Sequence, residues 1–222
     1  MIQKLTKKMQ DEIREVLSDY RKMKGRLFIR LCNREKDAER LEDMVHRDFL
    51  DFAIVPYIDL SHITGFPAAG AIPHGMASGL GIQEEGVIAD AMENSPKLKP
   101  VKIRKLSVLM EELMDSLTGI ETPVESLDSG LSVITNEDIS YGAAAALYPG
   151  VLEKMAEEKG TDLLLIPSSV HEFLVLTEDR ILTKEELVTL IRDVNRDEVA
   201  DSDILSNHLY RFDRKTGEIR QA

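Results

Sequence analysis

Hydroxyl, imidazole and carboxylate side chains crowd together at one point of this 222-residue chain, in Pro167-Ser168-Ser169-Val170-His171-Glu172. On an extended strand, residues two apart point to the same side. Ser169 and His171 would then be neighbours, with Cα atoms about 6–7 Å apart, and Glu172 would face the other way. A hydroxyl beside a base is the start of a nucleophilic site. Such a site also needs direct Ser–His contact and a third group that orients the imidazole, which neighbours on one strand do not ordinarily provide. The Gly-x-Ser-x-Gly elbow of the α/β-hydrolases is absent. The catalytic candidates are Ser168, Ser169, His171 and Glu172. The competing reading is a hairpin corner, in which Ser hydroxyls bond the backbone and His171 satisfies a neighbouring carbonyl.

Other chemistry is signalled less. His171-Glu172 does not open a His-Glu-x-x-His zinc motif, because Val175 stands where the second histidine would be. His46, His62, His74, His171 and His208 show no pair at metal-ligand spacing, and the single Cys32 adds none. No metal and no cofactor is expected. Gly65, Gly70, Gly75, Gly79 and Gly81 form neither phosphate-loop nor dinucleotide pattern, so they read as a turn-rich loop, bordered by His62 and His74. Residues 183–205 hold seven Asp/Glu against three Lys/Arg, without the glycine and closing Glu of a calcium loop. They read as a solvated acidic face, or as a receiver for the basic first helix of another copy. That helix region, residues 1–24, carries seven Lys/Arg against four Asp/Glu. Tyr148 and Tyr210 read as core edges or as interface aromatics.

The elements that must position these groups follow from periodicity. Leu5, Met9, Ile13, Val16, Leu17 and Tyr20 form one face of a helix that Gly25 can end. Leu27–Cys32 reads as a strand, followed by a short helix with Asn33 as N-cap. Phe49–Leu60 reads as one buried strand, with a bulge or an edge at Pro56. A short strand at Ala69–Ile72 and a helix from Gln83 to about Asn94 follow, with Pro96 as a stop. Residues 106–117 look helical. The second half has strands at 131–135, 163–166 and 170–176, with Pro167-Ser168-Ser169 as the turn. Residues 141–159 read as helix in two pieces ending at Gly160, and Thr183-Lys184-Glu185-Glu186 is a capping box opening another helix. A last strand near 208–212 is hairpinned through 215–217.

The fold class expected is α+β, with mixed or antiparallel sheets and packed helices. The domains expected are residues 1–118, a linker at 119–130, and residues 131–222, which could also form one compact domain. Both halves run strand, helix, strand, strand, helix. Their last helices also look alike, Ile82-Gln83-Glu84-Glu85 leading to Asn94 and Leu182-Thr183-Lys184-Glu185 to Asn195, which reads as a duplicated unit or as two ordinary amphipathic helices with acidic first turns.

Several strings together resemble a known family: Arg30-Leu31-Cys32-Asn33-Arg34-Glu35, His46-Arg47-Asp48-Phe49-Leu50-Asp51, Ala91-Met92-Glu93-Asn94-Ser95-Pro96, Tyr141-Gly142-Ala143-Ala144, Leu147-Tyr148-Pro149-Gly150-Val151-Leu152, the 167–172 string, and Leu205-Ser206-Asn207-His208-Leu209-Tyr210. They are similar to a domain of unknown function (number 5688) of gut-dwelling clostridia and their relatives. The resemblance spans nearly the whole chain and implies no activity. It implies a further N-terminal segment before the first helix, on which a surface of this chain would pack.

The formal net charge is −12. That argues against a nucleic-acid binder that works by neutralising phosphates, and against docking on an anionic membrane. No apolar run reaches the roughly 18–20 residues of a membrane helix. A lone cysteine suits a reducing compartment, so a cytoplasmic bacterial protein is expected. Two functions compete. One is a non-catalytic binding or regulatory module for a protein partner or a small molecule. The other is a hydrolase-like enzyme at Ser168/Ser169 and His171. Packing with the N-terminal segment, or as a homodimer, is the association expected.

Overall fold

The computed structural model describes residues 5–105, 108, 131–177 and 183–222. The expected helix at 106–117, apart from Val108, and the expected linker at 119–130 lie outside them. The chain divides into two compact units, Met1–Pro100 and Val101–Ala222. Both are helices on antiparallel sheets, so the class is α+β, as expected. Among the described residues no helix is long and apolar enough to cross a membrane.

The first unit opens with two helices rather than one, α1 (Lys7–Leu17) and α2 (Tyr20–Lys24). Ser18 and Asp19 cause the break. Ser18 Oγ donates back to the Glu15 carbonyl, and Asp19 turns extended so that its carboxylate accepts from the Arg21 amide. Short polar side chains compete for backbone groups in this way. Strand β1 (Leu27–Asn33) follows, and the Asn33 carboxamide oxygen then accepts from Glu35 and Lys36 amides. That makes a turn, and helix α3 (Ala38–Leu41) starts only after it.

The expected strand at 49–60 is a hairpin, β2 (Arg47–Phe49) and β3 (Phe52–Asp59), turning at Leu50 with φ 58°. β3 is central: β1 pairs along one edge, and β2 and then β4 (Ala69–Ala71) along the other. Pro56 sits in that central strand opposite Ile29, with no bulge, which corrects the expectation of a bulge or an edge. Its carbonyl accepts from the Ile72 amide. The imide nitrogen therefore faces the same side, between the ends of β2 and β4, where no ladder bond is lost.

Helices α4 (Ser61–Thr64), α5 (His74–Gly79) and α6 (Glu84–Leu98) complete the unit. α6 packs on β1 and β3 and runs through Pro96, four residues past its expected end. Two side chains just ahead of the proline anchor that last turn. Asn94 donates to the Lys24 carbonyl, and the fully buried Ser95 hydroxyl donates to Ala91 and accepts from the Ile29 amide on the free edge of β1. Ser95→Ala is expected to leave that edge amide buried without an acceptor and to cost about 1–3 kcal/mol, measured by urea unfolding. An unchanged midpoint would show that water replaces the hydroxyl. On the opposite face of the sheet, Arg30 stacks 4.5 Å from the Tyr57 ring, and Cys32 lies buried against Leu41, Ala53 and Val55. Burial pushes the Cys32 thiol up to about 11, which keeps it an unreactive core residue at neutral pH.

Among its described residues the second unit holds a six-stranded antiparallel sheet. Its strands are β5 (Val101–Lys105), β6 (Ser132–Asn136), β7 (Leu163–Ser169), β8 (Glu172–Thr177), β9 (Tyr210–Phe212) and β10 (Ile219–Gln221), arranged in the order β10-β9-β7-β8-β6-β5. A 3-10 segment, Gly142–Leu147, packs against β5, β6 and β8, and α7 (Val151–Lys159) follows it, closed by Gly160 at φ 72°. α8 (Lys184–Asp197) opens with the expected capping box and buries Leu187 and Ile191 on Leu164, Ile166 and Leu209. The two sheets differ in strand number and connection, although the helix-forming patterns of the two halves look alike.

Candidate functional site

The 167–172 string is a hairpin corner, but its turn is displaced by three residues from where the sequence puts it. β7 runs through Pro167 and Ser168 to Ser169, and the chain reverses at Val170-His171. The β7–β8 register shifts between Ile166 and Ser169, so Pro167 occupies an irregularity where a missing donor is tolerated. Ser169 and His171 are consequently not side by side on one strand.

Each sequence candidate can be placed. The buried Ser169 Oγ accepts from the His171 backbone amide at 3.1 Å, the local bond of a serine turn. Ser168 is half-buried, and among the described residues its hydroxyl has no hydrogen-bond partner. The His171 ring is engaged at both nitrogens. Nδ1 accepts the Tyr141 amide at 3.0 Å, and Nε2 lies 3.5 Å from the Asp203 carboxylate. The amide makes Nδ1 an acceptor, which assigns the proton of the neutral ring to Nε2, facing Asp203. In a nucleophilic triad the carboxylate orients one nitrogen and the other takes the hydroxyl proton. Here a backbone amide holds that second nitrogen.

Glu172 pairs with Ser169 to close the hairpin. Burial raises its carboxyl above the usual glutamate range, and attraction to His171 partly offsets this. Between the ordinary glutamate range and this raised value the folded chain binds more protons than the unfolded one, so the Glu172 contribution to stability falls as pH rises through that window. Glu172→Gln is therefore expected to unfold at higher urea than the parent at pH 7, with the advantage shrinking towards pH 4. A constant difference across that range would contradict it.

The corner recruits residues that sequence reading did not assign to it. Thr135 Oγ1 donates to the His171 carbonyl at 2.8 Å. The Asn136 side chain accepts from the Ser140 amide and donates to the Ser140 carbonyl, closing the 137–141 turn. The Val170 amide donates to the Asp203 carbonyl, and the Tyr141 ring lies 5.3 Å from the imidazole. Asp203 belongs to the acidic run read as a solvated face, and only the fold brings it to the histidine. Tyr141-Gly142 was visible as part of a family string, with no role attached.

A second histidine cluster lies in the first unit. The His74 and His46 rings sit 6.2 Å apart. His74 Nδ1 donates to Glu84 at 2.7 Å, and His46 Nδ1 donates to the Met44 carbonyl at 2.8 Å. The α5–α6 turn brings Glu84 to His74, and a bridge between Met44 and Pro73 brings the histidines together. Neither approach leaves a spacing signal in the sequence. Among the described residues no group of three or more His, Cys, Asp or Glu side chains is arranged to hold a metal ion.

No curated protein and no solved structure matches the chain at a significant level. A family profile does match, over residues 1–214, most of both units and the whole corner: the chain belongs to a family of unknown function (DUF5688).

Proposed function

We propose that this chain is a non-catalytic binding or regulatory module, and that the 137–141 turn is its recognition element. One observation carries the reading: Ile139 and Tyr141 adopt φ 53° and 50° with their side chains 59% and 40% exposed. A β-branched residue in the left-handed region is a true outlier, and strain of this kind persists only where the surroundings fix it. Here the surroundings are the Asn136 side chain and the His171 ring, which hold the turn at both ends. The imidazole then works as a brace for two displayed apolar groups. A rigid aromatic and an aliphatic residue on a braced turn match the anchors that recognition surfaces use.

The hydrolase alternative rests on the Asp203 carboxylate beside His171. It requires the Tyr141 amide to leave Nδ1, so that Ser168 or Ser169 can reach the ring.

A thermal-shift screen against metabolites and metals, with a p-nitrophenyl ester assay beside it, separates the two. Ligands that bind only the folded state raise its melting temperature. A hit that disappears in Tyr141→Ser, with that variant still folded, supports the module. Ester turnover lost in both Ser169→Ala and His171→Ala overturns it.

A further inference from the structure

The first unit holds a cavity of about 350 Å³, lined by Arg21, Lys22, Arg26, Asp59, His62 and Leu98. We infer that it is a binding site for a small phosphate-bearing ligand, a phosphate monoester or inorganic phosphate. It lies in a different unit from the histidine corner and stands independently of the reading given to that corner.

The charge arrangement carries the argument. Four of the lining side chains are basic, on a protein with a formal net charge of −12. The two outer ones are occupied: Arg21 bonds Asp19, and Lys22 bonds Glu15 at 2.5 Å. The two others are not, since among the described residues the Arg26 guanidinium and the His62 ring have no hydrogen-bond or ion partner. The one acid in the wall is spent elsewhere. Asp59 accepts from the Ser61 amide at 2.8 Å and lies 3.5 Å from Lys99 Nζ. Burial works to raise its carboxyl, but the Ser61 and Lys99 contacts outweigh this and hold it below the usual aspartate range. The cavity thus presents the unspent Arg26 and His62 donors, and its carboxylate is already paired with Lys99.

A tetrahedral anion fits this better than a planar one. A carboxylate satisfies one guanidinium fork, whereas a phosphate has further oxygens left for the His62 imidazole once the Arg26 fork is filled. The volume is at the lower end for small-molecule sites, and Leu98 offers a short apolar wall for the remainder of a monoester. The sequence hid this site because its residues come from α2, the link between α2 and β1, the end of β3, α4 and the last turn of α6, and no phosphate-loop pattern joins them.

The test is a melting-temperature titration of the full chain with inorganic phosphate and with glycerol 3-phosphate, against sodium chloride at matched ionic strength. Both phosphates are expected to give a saturable rise that chloride does not. Tighter binding of glycerol 3-phosphate identifies the occupant as a monoester, and the reverse order identifies inorganic phosphate. Arg26→Ala is expected to weaken affinity tenfold or more, the loss of a charge-assisted bond, with Arg26→Lys keeping part of it. His62→Gln, at an exposed position, should also weaken it and tests the site should Arg26→Ala not fold. A response equal to that of chloride overturns the proposal. So does an affinity unchanged in Arg26→Ala, or unchanged in His62→Gln where only that variant folds.

Discussion

Gly142→Ala is expected to destabilise the second unit by about 3 kcal/mol, the upper part of the usual range for overpacking. A Cβ at residue 142 would stand 2.3 Å from Thr135 Oγ1, 2.5 Å from the Asn136 nitrogen and 2.8 Å from the His171 oxygen. Two of these three atoms are backbone, and rotating a side chain does not move them. The third is already fixed, because Thr135 Oγ1 donates to the same His171 carbonyl. A methyl group must therefore push the start of the 3-10 segment away from the end of β6 and the hairpin corner together. The Tyr141 amide leaves His171 Nδ1 in the process, and the Ile139–Tyr141 display relaxes with it. Removing the threonine side chain as well relieves only one contact, so Thr135→Ala is not expected to rescue Gly142→Ala. Gly86→Ala is the natural control. It sits in the first turn of α6 with nothing within 4 Å of its ideal Cβ, and it should gain about 0.5–1 kcal/mol from helix propensity. The measurement is the urea midpoint of each variant. A Gly142→Ala midpoint equal to that of the parent would mean that the corner does not pack as closely as described.

That glycine shows where sequence reading reaches its limit. Periodicity located most described helices and strands, because the apolar stripe that drives an element into a core is written within that element. Thr183 and Glu186 made their capping box because both partners lie within one helical turn. Prolines were harder to read. Pro56, Pro96 and Pro167 each suggested a break or an edge, and each lies inside a regular element. What a proline costs depends on whether its absent amide would have had a partner, and that is a fact about the neighbouring strand or turn. The corner was legible as a cluster of chemically able residues, while its wiring was not. Thr135, Tyr141 and Asp203 reach His171 from three other places in the chain, and only the sheet order and the turn geometry join them. His62 and Arg26 come to one cavity in the same silent way.

Tyr210→Ala is expected to cost about 3–5 kcal/mol, the usual range for emptying a large buried aromatic site. Tyr210 lies in β9 between β7 and β10, opposite Leu165 and Gln221, and is 1% exposed. Volume is only part of its role. The phenol shares a 2.8 Å hydrogen bond with Ser206 Oγ, which also accepts the His208 amide at 3.0 Å. The Ser206 carbonyl accepts from the Asn195 carboxamide, which donates in addition to the Asn207 side chain. Asn195 stands near the end of α8, so this buried chain ties the helix to the short strand that follows it. β9 has only three residues, too few for ladder bonds alone to fix its register. Two variants divide the ring from the hydroxyl. Tyr210→Phe keeps the packing and removes the Ser206 bond, and should cost about 1 kcal/mol. Tyr210→Ala loses both and should also expose the β9 amides to hydrogen exchange. If the two variants were equally destabilised, the hydroxyl network rather than the ring would hold β9 in place, because the polar contact alone would then account for the whole loss.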